Sequence, residues 1–287
     1  LWIGVDPGIS LSAPSGTVLK NMDSAPLYQS APVRLDGDFQ PFDCAWSLDL
    51  PAPGEVEEIA PDGCCELIFH HLDPPSEIRP DGEAVQPAAL LYGPLTRVLR
   101  LRPHGPMRMT ALRFTPWGVG ALHGDPGRLR NSATPAEAVF GPDMSRALAV
   151  LAAETDLAGF AAAASVRLAE IMKVTPALLA AQAVGRDFEA RPEAGIAGLA
   201  AGAGCSQRTL ARRLARSCGL TPGEFLGLQR FQRARAAIKS GESGLAGIAL
   251  ESGYADQAHM TREFRRLAGR TPAQARAEAG FDPLYED

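Results

Sequence analysis

Apolar and polar positions alternate for most of Met107-Arg108-Met109-Thr110-Ala111-Leu112-Arg113-Phe114, the two-residue period of a half-buried strand. Shorter apolar runs precede it at Ala45–Leu50, Glu66–His70 and Val98–Leu101. Turn formers bound these runs, as at Asp62-Gly63, Asp81-Gly82 and His104-Gly105. Residues 1–142 also hold 19 of the 24 prolines, which disfavours long helices there. The pattern predicts a β-rich domain, a barrel or a sandwich, over 1–142.

The texture changes near residue 143. Met144 to Leu157 is rich in Ala and Leu, with Pro142-Asp143 placed to start a helix. Ala163 to Gly185 forms a second helical region, with Thr175-Pro176 as a break or a new start. Residues 143–190 are therefore expected to be a helical connector, either a plain packing pair or a dimerisation surface. The charged, proline-containing stretch Asp187 to Pro192 is expected to be a linker.

Residues 191–287 carry the most informative periodicity. Ile196, Leu199 and Ala200 share one helical face, and Gly204 supplies a turn after them. Ser206 is placed to cap a second helix in which Leu210 and Leu214, four apart, point inward. Arg208 and Arg212 fall on another face of that helix. The same grammar returns about fifty residues later. Leu245, Ile248 and Ala249 mark a short helix, Ser252-Gly253-Tyr254 the turn, and Asp256 the cap. Met260 and Phe264 form the buried pair, with Gln257, Thr261 and Arg265 outward and Ala258 and Arg262 beside them. Both units close alike, on Gly219-Leu220-Thr221-Pro222 and Gly269-Arg270-Thr271-Pro272. This is an internal repeat of two helix-turn-helix units. A helix from Thr221 to Ser240 joins them. Its roughly 30 Å span is close to one turn of B-DNA. Arg230, Arg233, Arg235 and Lys239 on it are expected to be mostly solvated, with phosphate contact as the other role.

On these residues the region 193–280 resembles the AraC-type (AraC/XylS) transcription regulators. The first half of the resemblance is Ile196-Ala197-Gly198-Leu199-Ala200, Gly204-Cys205-Ser206, Leu210, Arg212, Leu214, then Gly219-Leu220-Thr221-Pro222, Phe225, Arg230 and Ala234. The second, more specific half is the run from Gly253 to Arg266 with Gly269, Thr271 and Pro272. Met260 stands where members usually have Phe, and both are apolar. The resemblance implies that the second helix of each unit, about 206–217 and 256–267, enters the major groove. It implies DNA contacts at Arg208, Thr209, Arg212 and Arg213 in the first unit. In the second it implies Gln257, His259, Thr261, Arg262 and Arg266. Arg suits guanine O6 and N7, and Gln suits adenine N6 and N7. His259 is either a phosphate or base-edge contact or a plain surface residue, and Ser206 is a cap rather than a reader. A weaker resemblance spans about 20–130. It rests on Ala60-Pro61-Asp62-Gly63, Leu67-Ile68-Phe69, Tyr92-Gly93-Pro94, and Arg113-Phe114 with Pro116-Trp117-Gly118. It points to an uncharacterised N-terminal domain found in some of these regulators.

Together these readings predict an α+β chain: a sensory or regulatory β-rich domain, the connector, and an all-α double helix-turn-helix domain. The implied partners are double-stranded promoter DNA, RNA polymerase, a small-molecule effector and a second copy of the chain. The expected location is the bacterial cytoplasm. The alternative is a metal-dependent β-barrel enzyme, or a protein-interaction platform, fused to a DNA-binding domain.

Charge sharpens the division. The whole chain is at −5, but residues 205–287 hold 13 basic and 9 acidic side chains, and residues 205–276 reach +8. The acidity belongs to the other domain. No run approaches a membrane span. Leu1–Val5 is too short for the apolar core of a signal peptide, and Asp6-Pro7 follows without a basic leader. The five cysteines include no Cys-x-x-Cys pair, and adjacent Cys64-Cys65 is expected to be buried rather than redox-active. His70, His71, His104 and His123 with Glu66 show no metal-ligand spacing, so no metal, cofactor or catalytic residue is expected. On a strand, at most one of His70 and His71 can face an interior. Trp46 and Trp117 are expected in the core.

Overall fold

The computed structural model describes residues 27–51, 56–241 and 244–277; the Leu1–Val5 segment and the acidic tail beyond 277 lie outside them. The strands are β1 (Leu27–Pro32), β2 (Phe42–Leu50), β3 (Glu57–Ile59), β4 (Glu66–His70), β5 (Ser76–Arg79), β6 (Gly82–Val85), β7 (Ala89–Tyr92), β8 (Leu99–Arg102), β9 (Met107–Phe114) and β10 (Ala133–Pro135). They form two antiparallel sheets: six strands in the order β1-β2-β9-β4-β7-β10, and four in the order β3-β8-β5-β6.

Alternation assigns the two faces of the larger sheet. Leu67, Phe69, Leu91, Leu112 and Phe114 face one way, into a core shared with helices. Trp46, Leu48, Ile68, Leu90, Met107 and Met109 face the other way, toward the smaller sheet. The central strands β4 and β7 are therefore buried on both faces, which explains why Leu67-Ile68-Phe69 is apolar at successive positions rather than alternating apolar and polar. The result is three layers: small sheet, large sheet, helices.

The helices are α1 (Ala136–Phe140), α2 (Pro142–Glu154), α3 (Leu157–Ile171), α4 (Pro176–Ala190), α5 (Ile196–Gly202), α6 (Gln207–Cys218), α7 (Pro222–Ser240), α8 (Leu245–Glu251), α9 (Gln257–Ala268) and α10 (Pro272–Ala277). Asp156 caps α3, accepting from the Gly159 N–H at 2.7 Å. Thr175 caps α4 as the Thr-Pro spacing requires. The helical connector is divided between two cores. Phe160, Ala164 and Leu168 of α3 pack on the large sheet, with Phe160 edge-on to Phe69 at 6.0 Å. Leu178, Ala181, Val184 and Phe188 of α4 join the core of the C-terminal helices instead.

One expectation is corrected. Asp187 to Ala190 is helix, not linker: Phe188 is buried, and Asp187 binds the Arg191 guanidinium one turn on. The buried aromatic outweighs the local charge. A loop follows only at 191–195.

The β-rich and C-terminal parts meet over a close, partly polar contact. Arg130 pairs with Glu224 at 2.5 Å and also donates to the Gly219 carbonyl. Gln232 Nε2 donates to the Pro61 carbonyl at 2.6 Å, and Arg270 pairs with Glu58. Gly219 lies so close to Gly127 that an added Cβ would stand 2.6 Å from its nitrogen. Trp117 closes the seam, donating to the Gln40 carbonyl and packing against Gly185 of α4.

Candidate nucleic-acid interface

Each helix-turn-helix unit is built by the same local contacts. In the first, the Gly204 N–H donates to Ala201 and the Cys205 N–H to Ala200; in the second, Gly253 donates to Leu250 and Tyr254 to Ala249. The turn glycines have φ of +58° and +84°. The second turn then carries one extra residue, Ala255, so the offset between units grows from 49 to 50. Caps restore the match. Ser206 accepts from the Thr209 N–H at 3.2 Å, and Asp256 from the His259 N–H at 2.6 Å. Both units end on a left-handed glycine, Gly219 and Gly269. Each is followed by a reciprocal cap, Thr221 with Glu224 and Thr271 with Gln274.

The inward faces are sealed. Leu210 and Leu214 of α6, and Met260 and Phe264 of α9, are buried against α7, where Phe231 meets Phe264 edge-on at 4.7 Å. Amphipathic period and burial agree, so the opposite faces of α6 and α9 are fixed outward. On α6 that face presents Arg208, Arg212 and Arg216, all exposed. On α9 it presents Gln257, Ala258, Thr261, Arg262 and Arg265 around a shallow open concavity. Arg208, Arg212, Arg216, Arg262 and Arg265 make no ion pair among the described residues. Arginines elsewhere in the fold, such as Arg113, Arg130 and Arg270, are held by carboxylates. Five guanidiniums left unpaired on two equivalent helix faces make an anion-directed surface.

The remaining sequence candidates are placed differently. Arg266 is exposed but bound within its own helix by Glu263 at 2.8 Å, and this hydrogen bond holds the Glu263 carboxyl below its ordinary range. His259 is half-buried: its Nδ1 accepts from the Ala255 N–H and its ring stands edge-on to Tyr254 at 5.3 Å. Thr261 donates to the Gln257 carbonyl at 2.8 Å, leaving its oxygen as an acceptor. Thr209 is half-buried and receives the Ser206 hydroxyl, and Arg213 is half-buried beside it on α6. Arg216 and Arg265 were not among the contacts the resemblance implied. Their signal was the continuation of two series, 208-212-216 and 257-261-265, one helical turn further.

The expected solvation of α7 is also corrected. The Arg230 Nε is buried against the Gly253-Tyr254 turn, Arg233 donates to the Glu189 carbonyl at 3.4 Å, and Arg235 donates to Gln232. A central helix is surrounded by the elements it joins, so its arginines meet protein first. Lys239, at the end, is exposed.

Two helix-turn-helix units on one central helix define a double helix-turn-helix domain. Residues 199–278 match a helix-turn-helix domain family, and residues 40–135 match a domain of unknown function (DUF6597). The C-terminal part of the chain is an AraC-type helix-turn-helix domain, and the N-terminal part belongs to that second family. The chain is 37% identical over 71 residues to the HTH-type transcriptional activator RhaS of Escherichia fergusonii, covering 25% of this chain and 26% of that protein. It thus spans about a quarter of the length of the curated relatives it matches. Among solved structures, it is similar to the DNA-binding domain of AdpA in complex with a target DNA. That match has 28% identity and a TM-score of 0.33, over 35% of this chain and 92% of that one. It is also similar to ToxT from Vibrio cholerae, with 11% identity and a TM-score of 0.45, over 87% and 98%.

Proposed function

We propose that the protein is a sequence-specific DNA-binding transcription regulator that lays α6 and α9 into successive major grooves. The observation that carries this reading is the pair of equivalent outward faces with five unpaired arginines, held on one helix. The 19 residues of α7 make a rigid axle of about 28 Å, which suits recognition on one face of the duplex. Arg208, Arg212, Gln257, Thr261 and Arg262 are the proposed base readers. Arg216 and Arg265 are proposed to meet phosphates, with Thr209, Arg213, His259 and Arg266 bordering them.

In the same reading the chain has three parts, 1–142, 143–190 and 191–287, and the first controls the last through an effector or through pairing of two copies. RNA polymerase is the proposed downstream partner and the cytoplasm the proposed place of action. Among the described residues no helix is long and apolar enough to cross a membrane. The name of the relative RhaS, a transcriptional activator, supports the reading for the C-terminal domain. Selection of bound DNA from random sequence by the full chain tests it. A site with two half-sites about one helical turn apart is expected. Equal recovery of unrelated sequences, or no binding at low salt, would refute it.

A further inference from the structure

Helices α6 and α9 align residue for residue. Both are 12 residues long. Ser206 and Asp256 cap them at the residue before, and Gly219 and Gly269 close them with φ of +68° and +69°. Each position of α6 therefore corresponds to the position 50 further along in α9. The inward stripes agree under this alignment: Leu210 with Met260, Leu214 with Phe264, and Cys218 with Ala268, all buried. Packing keeps the apolar character of these pairs and changes the residue in each.

Two outward positions keep the residue itself. Gln207 matches Gln257 and Arg212 matches Arg262, and all four are exposed. Among the described residues none of these four side chains has a hydrogen bond or an ion pair. Caps and core are satisfied elsewhere, so the fold makes no demand that an exposed glutamine or arginine be the same in both helices. A common target in both half-sites does make that demand. The glutamine amide matches adenine N6 and N7, and the guanidinium matches guanine O6 and N7. In each helix the two residues stand five apart, a rise of about 7.5 Å. Gln207 lies outside the contacts that the resemblance implied. A third pair, Arg216 and Arg266, is not equivalent: Glu263 binds Arg266 at 2.8 Å, whereas α6 has Arg213 at the position of Glu263.

Two further outward positions differ. Arg208 is matched by Ala258, and Ala211 by Thr261. Arg208 has two donors for guanine where Ala258 has only a methyl group. The Thr261 hydroxyl gives its hydrogen to the Gln257 carbonyl at 2.8 Å and so can meet a base only as an acceptor. An acceptor selects the amino group of adenine or cytosine, whereas the Ala211 methyl suits the methyl of thymine.

We propose that Gln207 is a base reader equivalent to Gln257, and that the two half-sites are related sequences which share an adenine and a guanine at equal spacing. They differ at two base pairs. The α6 half-site has guanine under Arg208 and thymine under Ala211; the α9 half-site has adenine or cytosine under Thr261 and no required guanine under Ala258. The proposal rests on the reading of α6 and α9 as recognition helices, and goes beyond it in fixing how the two sequences are related.

Selection of bound DNA from random sequence by the full chain, repeated with four variants, tests it. The wild-type site is expected to show the shared adenine and guanine in both halves. Gln207→Ala should keep the thermal transition, lose about tenfold on the selected site and relax preference at one position of one half-site. Gln257→Ala should do the same in the other half, which assigns the halves to the helices. Gln207→Arg should replace adenine by guanine at that one position, a change of preference that partial unfolding cannot produce. The double variant Arg208→Ala with Ala211→Thr should make the α6 half-site converge on the α9 half-site. Two half-sites without the shared pair, an unchanged site in Gln207→Arg, or equal weakening of all sequences in Gln207→Ala overturns the proposal and leaves the regulator reading standing. Recovery of no enriched site by the wild-type chain refutes that reading itself.

Discussion

At the scale of single residues, backbone conformation and close approach make separable demands. Gly204 and Gly253 occupy equivalent turns with positive φ, yet a Cβ at Gly204 meets nothing within 4 Å. A Cβ at Gly253 would collide with the Pro192 carbonyl. Gly204→Ala is therefore expected to cost about 1–2 kcal/mol, the left-handed penalty alone. Gly253→Ala should cost about 3 kcal/mol or more, because strain and displacement of the 191–195 loop add. Urea denaturation of the two variants checks the order; equal costs would mean that the Pro192 loop yields freely. His70 gives a second residue-scale prediction. Its folded pKa, about 4, lies below its ordinary value of 6.5 because burial disfavours the cation. The unfolded state thus binds the proton first. The stability owed to this group is present above pH 6.5 and is lost as pH falls toward 4, by on the order of 3 kcal/mol in full. In His70→Asn the stability curve between pH 6.5 and 4 should flatten by about that amount.

At the scale of elements, the C-terminal domain was legible because its information is local. Ser206, Thr221, Asp256 and Thr271 cap helices, glycines end them, and the apolar pairs four apart are buried where the spacing put them. Strand β9 was legible for the same reason, since its alternation is contained within one element. The sheet order was not. Strand β9 lies between β2 and β4, pairings of long sequence separation that no local pattern encodes. The Gln86–His70 contact was hidden too, because the two side chains meet only after β4 and the strand-flanking segments are brought together. The short strands β3, β5 and β6 lacked the length to show a period. The capping boxes carry a further prediction. Thr221→Ala removes an acceptor from the Glu224 N–H and loosens Glu224, which also receives Arg130. It should cost about 1–2 kcal/mol, at the upper part of the capping range, whereas Thr271→Ala, near the end of the described chain, should cost less. Chemical denaturation of both variants decides whether the interdomain pair adds to the cap.

At the scale of the whole molecule, opposite charges are kept apart by sequence and joined by packing. Residues 1–204 carry nine more acidic than basic side chains, while the helix-turn-helix region is basic. The contacts between them neutralise Arg130 and Arg270 but leave Arg208, Arg212, Arg216, Arg262 and Arg265 outward. The net charge of −5 therefore says little about affinity for a polyanion, because DNA within a Debye length meets the local face rather than the sum. Salt dependence measures that face directly. If all five arginines displaced counterions from phosphates, the logarithm of the association constant would fall against the logarithm of salt with a slope of about −4.5. Base readers contribute less, so the slope measured by anisotropy with the full chain is expected between about −2 and −5. Arg265→Ala, a phosphate contact in this reading, should reduce it by about 0.9 and weaken all sequences alike. Arg262→Ala, a base reader, should instead lose about 1–3 kcal/mol on the preferred site and relax preference at one position, with a smaller change of slope. The reverse pattern would exchange the roles of the two residues, which stand three apart and about 60° from each other around the helix, and would turn α9 in its groove by about that angle.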